Sequence, residues 1–260
     1  MRIAIPVFDG DNRLSVNAAY VAYVKAAGFE PVLVTGANDL QGMAAFCDGL
    51  LLPGGIDIEP TFYGEDNFGS EGCDPEKDDF ERKVLHSFLG VGKKVFGICR
   101  GHQLIVREFL HVFAEQCHGL SFWQHINNHS LAQGRNAKRS TPTHSITINP
   151  QILYGFPDAP KLGSIFVNSM HHQALLADGN KNLTKVIDAN NYLKCIGITN
   201  FGSPATKEND WLVVEAVEIK LNGVVLRSVQ WHPEELMDVG LLTQYFAGVA
   251  ANADKVRLYR

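Results

Sequence analysis

The sequence predicts an α/β protein with a central, mostly parallel sheet and an antiparallel extension. In the first half, short apolar runs alternate with helix-compatible stretches, the rhythm of parallel strands buried on both faces. In the second half, strand-like segments follow one another across short turns such as Asn222-Gly223, a pairing chemistry suited to antiparallel hairpins. A length of 260 residues, 45% hydrophobic and 20% charged, allows one large core, so residues 1–260 are expected to form a single domain.

The elements follow in order. Ile3–Phe8 reads as an opening strand and Val16–Ala27 as a helix stopped by Gly28. Pro31–Thr35 and Gly49–Leu52 are apolar enough for buried strands, the second ending on Pro53-Gly54-Gly55. Asp78–Leu89 alternates charge and apolar residues as an amphipathic helix does, and Lys94–Ile98 is a fourth strand. Beyond it, Ser145–Ile148, Ile165–Asn168, Lys185–Asp188, Trp211–Ile219 and Val224–Gln230 are strand-like. Asn190–Asp210, rich in Asn, Gly, Ser, Thr and Lys, reads as a long surface loop. No internal repeat or low-complexity tract is present.

Composition excludes several classes of function. A net charge of −5, with lysines and arginines scattered, offers no footprint for nucleic acid. No apolar stretch is long enough to span a bilayer, and the opening strand is too short for a signal peptide. Five widely spaced cysteines without a Cys-x-x-Cys pair fit a reducing compartment, so the cytosol is expected. Cys117, His118, His125 and His129 match no common zinc spacing, and neither a metal nor another cofactor is expected.

The chemistry concentrates at two places. Val95–Gln103 reads Val-Phe-Gly-Ile-Cys-Arg-Gly-His-Gln, an apolar run stopping on Cys99 between Gly97 and Gly101. A lone cysteine at a strand end is ordinarily a small core residue. Framed by glycines and followed by helix-compatible residues, it has the form of a nucleophile elbow, with the helix's positive end beside the sulfur. Far downstream, Ser228–Glu234 supplies His232 and Glu234 on either side of Pro233. That pair has a bland reading as surface-loop polarity, but proline restrains the backbone and holds the two side chains in a fixed relation. Cysteine, base and orienting acid are the parts of covalent acyl transfer. Gly54 and Gly55, at a strand end, permit close approach to a carbonyl. A backbone N–H of this glycine pair and Arg100 N–H are the candidate oxyanion donors. Asn168–Gln173, with the pair His171-His172, places polar groups where a strand meets a loop.

Together these blocks resemble the class I glutamine amidotransferase superfamily and, within it, the γ-glutamyl hydrolase branch that includes γ-glutamyl-γ-aminobutyrate hydrolases. The resemblance is carried by Leu51–Pro60 with Tyr63-Gly64-Glu65, Gly97–Gln103, Val167–Gln173 and Val229–Glu234, in the family's order. It implies a flavodoxin-like three-layer sandwich and a Cys99–His232–Glu234 triad. It also implies an oxyanion hole at Gly55 and Arg100, with Gly54, Gln103, His171 and His172 near a small-molecule γ-glutamyl substrate. A γ-glutamyl thioester on Cys99 would be the intermediate. The alternative is a glutaminase component that passes ammonia to a separate synthetase subunit; a non-enzymatic binding relative is a third reading. Family analogy points to a homodimer. The chain departs from the family pattern at Ile56, where a third glycine is usual, and at His125, where aspartate is expected. The Gly-Gly that normally follows the elbow arrives late, as His118-Gly119, and the Asn190–Asp210 segment is enlarged.

Overall fold

The computed structural model describes residues 1–10, 13–112, 120–126, 129, 138–178, 193–201, 211–252 and 256. The chain opens with β1 (Arg2–Pro6), a small hairpin of β2 (Phe8–Gly10) and β3 (Arg13–Ser15), then α1 (Ala18–Ala26) and β4 (Glu30–Val34). It continues through α2 (Leu40–Phe46), β5 (Gly49–Leu52), a 3₁₀ turn at Pro60–Tyr63, α3 (Pro75–Gly90), β6 (Lys94–Ile98) and α4 (Arg100–Val112). The second half carries β7 (Leu120–Trp123), β8 (His144–Ile148), α5 (Pro150–Tyr154), β9 (Gly163–Val167) and β10 (Ala174–Asp178). It closes with β11 (Leu193–Phe201), β12 (Trp211–Leu221), β13 (Val224–Val229), α6 (Pro233–Leu236) and α7 (Gly240–Ala247).

One large sheet runs β4-β1-β5-β6-β13-β12-β11-β8-β9, with β10 and β7 branching from β12. The strands from β4 to β13 are parallel, and β12 onward are antiparallel. Successive residues of the parallel strands face opposite layers. Ala4, Leu50, Leu52 and Val95 pack with Val84, Phe88 and Ile105 of α3 and α4. Ile3, Ile5, Leu51, Phe96 and Ile98 pack instead with Tyr20 and Val24 of α1 and Leu242 and Phe246 of α7. Both faces are therefore covered by helices, the three-layer arrangement expected of fully apolar parallel strands.

Local chemistry sets the boundaries. The Asn17 side chain accepts from Ala19 N–H (3.0 Å) and caps α1, which stops before Gly28 at φ 81°. Asp74 accepts from the N–H groups of Glu76 and Lys77 (both 3.1 Å), and Pro75 opens α3 three residues before the expected start. Asn222 and Gly223 both take positive φ (47° and 81°), as a tight hairpin between β12 and β13 requires.

The expected loop at Asn190–Asp210 is corrected by β11. Leu193–Phe201 is a strand paired along β12 from Leu193↔Ile219 to Phe201↔Trp211. Leu193, Cys195, Ile196 and Ile198 are buried, and the register shifts around Gly197 disguise the alternation. The remainder of that segment, the expected strand Lys185–Asp188, and Cys117, His118 and Gly119 lie outside the described residues.

Candidate active site

The elbow forms because two backbones approach closely. A β-carbon on Gly97 would stand 2.7 Å from Gly101 O, and one on Gly101 would collide with the Leu52 backbone of β5. With those contacts made, β6 turns into α4 within a single residue. Cys99 takes φ 51°, left-handed backbone that costs a non-glycine residue roughly 1–2 kcal/mol. Cys99 N–H donates to Val229 O of β13 (2.9 Å), and Gly101 N–H donates to Pro53 O beyond β5 (3.1 Å). Two neighbouring strands therefore hold the turn from either side.

His232 leaves β13 beside this turn. Pro233 starts α6, so Glu234 folds back, and its Oε1 lies 2.6 Å from His232 Nδ1. That contact commits Nδ1 to Glu234 and leaves Nε2 as the ring's other nitrogen, with Cys99 lining the same cavity. Burial pushes the imidazole pKa down, but the Cys99 sulfur and the Glu234 carboxylate outweigh it and raise it to about 10. Asn168, just past β9, clamps the same residue by its main chain. Its Oδ1 accepts from His232 N–H and its Nδ2 donates to His232 O, both at 3.0 Å, and Nδ2 also donates to Arg139 O at 2.8 Å. In the sequence, Asn168 only opens the polar block Asn168–Gln173, and nothing there marks a tie to His232.

Gly54 packs against both Cys99 and His232. A β-carbon there would come 2.6 Å from Tyr20 Oη, 3.0 Å from His232 Cε1 and 3.3 Å from Cys99 Cβ. Its N–H donates to Tyr20 Oη (2.9 Å), so Gly54 is not a free amide donor. Gly55 is exposed on the wall of a cavity of about 680 Å³ that also contains Gly54, Cys99, His232, Lys77 and Arg139. The β2–β3 hairpin borders this cavity through Phe8 and Ser15.

Arg100 opens α4 next to the thiol, but its side chain turns away and is buried against Asp78 and Glu81 of α3. Lys77 Nζ adds a 2.6 Å contact to Glu81. Coulombic attraction to the two carboxylates overcomes burial and raises the guanidinium pKa further. Nothing in the helix Asp78–Leu89 as a sequence marks Asp78 and Glu81 as other than a solvated charged face.

Gln103, His171 and His172 are not among the residues lining the cavity. Gln103 Nε2 reaches Gln173 O (3.3 Å) and Gln230 Oε1 (3.4 Å) inside the protein. His171 is buried, its Nδ1 2.9 Å from Gln173 O, and burial pushes its pKa down to about 3. His172 pairs with Asp57 (2.8 Å), and its Nδ1 stands 3.0 Å from His125 Nδ1. From that block it is Met170 that reaches the cavity.

The arrangement joins a strained thiol, an imidazole oriented by a buried carboxylate and an open cavity, which is a layout for covalent acyl transfer. Comparison with known proteins agrees in kind. The sequence profile of the family described as peptidase C26 matches residues 4–234. The glutamine amidotransferase-like protein YvdE of Lactococcus lactis subsp. lactis is 29% identical, over 76% of this chain and 70% of that protein. The glutamine amidotransferase-like protein RP404 of Rickettsia prowazekii is 28% identical over 87% and 85% of the two chains. Among solved structures, the glutaminase domain of Trypanosoma brucei CTPS with bound acivicin superimposes with a TM-score of 0.55 at 14% identity, covering 98% of each chain. PurLQS from Thermotoga maritima gives 0.55 at 15% identity, over 95% of this chain and 97% of that one. At these identities the likeness is one of fold. No helix among the described residues is long and apolar enough to cross a membrane.

Proposed function

The chain belongs to the peptidase C26 family of class I glutamine amidotransferase-like hydrolases, and we propose that it hydrolyses γ-glutamyl amides through a thioester on Cys99. The observation that carries this reading is the strained Cys99 at φ 51° in one cavity with His232, whose ring is held by Glu234 at 2.6 Å.

In the proposed reaction the Cys99 thiolate adds to the substrate's γ-carbonyl carbon. The carbonyl oxygen becomes an oxyanion facing Gly55 N–H and Arg100 N–H. Protonated His232 gives its Nε2 proton to the amide nitrogen as the C–N bond breaks, and the amine departs. Neutral His232 then takes a proton from water as that water attacks the thioester. Collapse of the second tetrahedral intermediate expels the thiolate, leaves glutamate, and restores the thiolate–imidazolium pair. Glu234 stays ionised and stabilises the imidazolium. Residues 1–260 act as one catalytic domain in this scheme.

The test is glutamate release from L-glutamine and from a panel of γ-glutamyl amines, with Cys99→Ala as control. Turnover of a γ-glutamyl amine that vanishes in Cys99→Ala, together with a trapped adduct of γ-glutamyl mass on Cys99, is the expected result. Turnover that survives Cys99→Ala overturns the mechanism. A second reading has support in the names of the relatives, which describe glutamine amidotransferase-like proteins. In it the same acyl-enzyme releases ammonia to a separate synthetase, and glutaminase activity rises only when that partner is added.

A further inference from the structure

We propose that His129, His144 and Glu215 form a binding site for a divalent transition-metal ion of the zinc class, separate from the thiol cavity. The three side chains come from distant parts of the chain: the segment after β7, the first residue of β8 and the middle of β12. His129 Nε2 lies 3.0 Å and His144 Nε2 3.1 Å from one atom, Glu215 Oε1. All three donor atoms fall within 4.8 Å of one another. Ligands of a tetrahedral zinc ion at about 2.0–2.1 Å stand roughly 3.3 Å apart, so the cluster already has nearly the required spacing.

The donor set fixes the class of ion. Two imidazole nitrogens and one carboxylate suit zinc, cobalt or nickel, whereas calcium and magnesium demand oxygen ligands. Two further observations point to a ligand at this place. Glu215 is wholly buried, and its second oxygen, Oε2, has no hydrogen-bond partner. A buried carboxylate with one bare oxygen is costly to fold, and a cation satisfies it directly. His171 is the other. Its ring lies 4.8 Å from that of His129, and its Nδ1 is engaged with Gln173 O at 2.9 Å. That bond selects the tautomer in which Nε2 carries a lone pair, and this buried Nε2 is unpartnered. A lone-pair nitrogen beside His129 is thus available to accept from a metal-bound water at the fourth position.

The alternative is a purely structural cluster in which two imidazole N–H groups satisfy one carboxylate. The two differ in what an ion does. Bound metal would brace β8 against β12, and Thr143 N–H, adjoining His144, bonds Val167 O (2.7 Å), next to the Asn168 that clamps His232.

The experiment uses the full chain carrying Cys99→Ala, so that the thiol lining the cavity cannot take the ion. The protein is stripped with a chelator and titrated with Co²⁺ alone and, separately, with Zn²⁺ alone. Expected are one saturable equivalent, ligand-field absorption without a thiolate-to-cobalt charge-transfer band, and a higher Tm with Zn²⁺. Glu215→Gln and His144→Gln should each weaken binding at least tenfold and abolish the Tm shift. Absence of a saturable equivalent in the parent protein overturns the proposal without recourse to variants that fold poorly. A thiolate charge-transfer band, or undiminished binding by a folded Glu215→Gln, overturns it as well.

Discussion

Truncating Asn168 tests whether His232 is positioned by its own main chain. Asn168→Ala removes the acceptor for His232 N–H and the donor to His232 O, both at 3.0 Å, in a residue only 1% exposed. Each buried backbone group left unpaired costs about 1–3 kcal/mol. The two together predict a loss of about 2–6 kcal/mol, toward the low end where water enters the vacated volume. The loss of Arg139 O's partner adds to it. The kinetic effect is separable. A displacement of about 1 Å at a reacting group costs on the order of 100-fold, so kcat should fall 10- to 100-fold while KM changes little. Urea unfolding reads the first quantity, and steady-state glutamate release reads the second. Asn168→Asp keeps the acceptor for His232 N–H and loses both donated bonds, so it should lie between wild type and Asn168→Ala in each assay. In a double-mutant cycle with Glu234→Gln the kinetic effects should be strongly non-additive, because both hold one residue, Asn168 by its main chain and Glu234 by its ring. An Asn168→Ala protein that is folded and turns over within twofold of wild type, while Cys99→Ala is dead, would refute the positioning argument.

Three other expectations follow from the same geometry. Gly54→Ala puts a β-carbon 2.6 Å from Tyr20 Oη and 3.0 Å from His232 Cε1, so kcat should drop at least tenfold in a protein that still folds; wild-type kcat would show that the neighbours give way freely. Replacing both Arg100 counter-ions, Asp78→Asn with Glu81→Gln, leaves a buried guanidinium uncompensated, and chemical denaturation should register a loss of about 3–5 kcal/mol, against a negligible change if the pairs are dispensable. His232 has a pKa raised from 6.5 to about 10 in the folded chain, with burial opposing and Cys99 and Glu234 driving the shift. Its protonation therefore stabilises the fold fully below pH 6.5, and that contribution is lost progressively as the pH rises through about 10. The urea midpoint should decline over that window in wild type and decline less in Glu234→Gln, and an unchanged slope would count against the thiolate–imidazolium pair.

What the sequence made legible was what local chemistry determines. Gly49–Leu52 and Lys94–Ile98 match β5 and β6 to the residue, because a parallel strand buried on both faces is an uninterrupted apolar run between breakers. The spacing of Gly97, Cys99 and Gly101 announced the elbow, since those glycines answer contacts within one turn and its neighbouring strand. Helix α2 has almost no periodic stripe for the sequence to show, because it is only seven residues long, contains Gly42 and buries Ala44 alone. β11 is hidden in a segment rich in Asn, Gly, Ser, Thr and Lys, and its bulge at Gly197 breaks the alternation that marks a half-buried strand.

The misread parts of the site share a different cause. Asp78 and Glu81 sit three residues apart on a charged helix, a spacing equally suited to water or to a buried arginine. Arg100 decides between them, and it arrives from 22 and 19 residues away. Asn168 reaches His232 across 64 residues, and Tyr20 reaches Gly54 across 34. The proposed triad has its base and acid two residues apart in one motif, whereas the groups that hold His232 and Gly54 belong to other elements of the fold. The residues of the proposed chemistry are therefore the ones that local motifs mark. Those that position them emerge only when β6, β9 and β13 are seen converging on one end of the sheet, and for that reason the decisive perturbation falls on Asn168 rather than on Cys99.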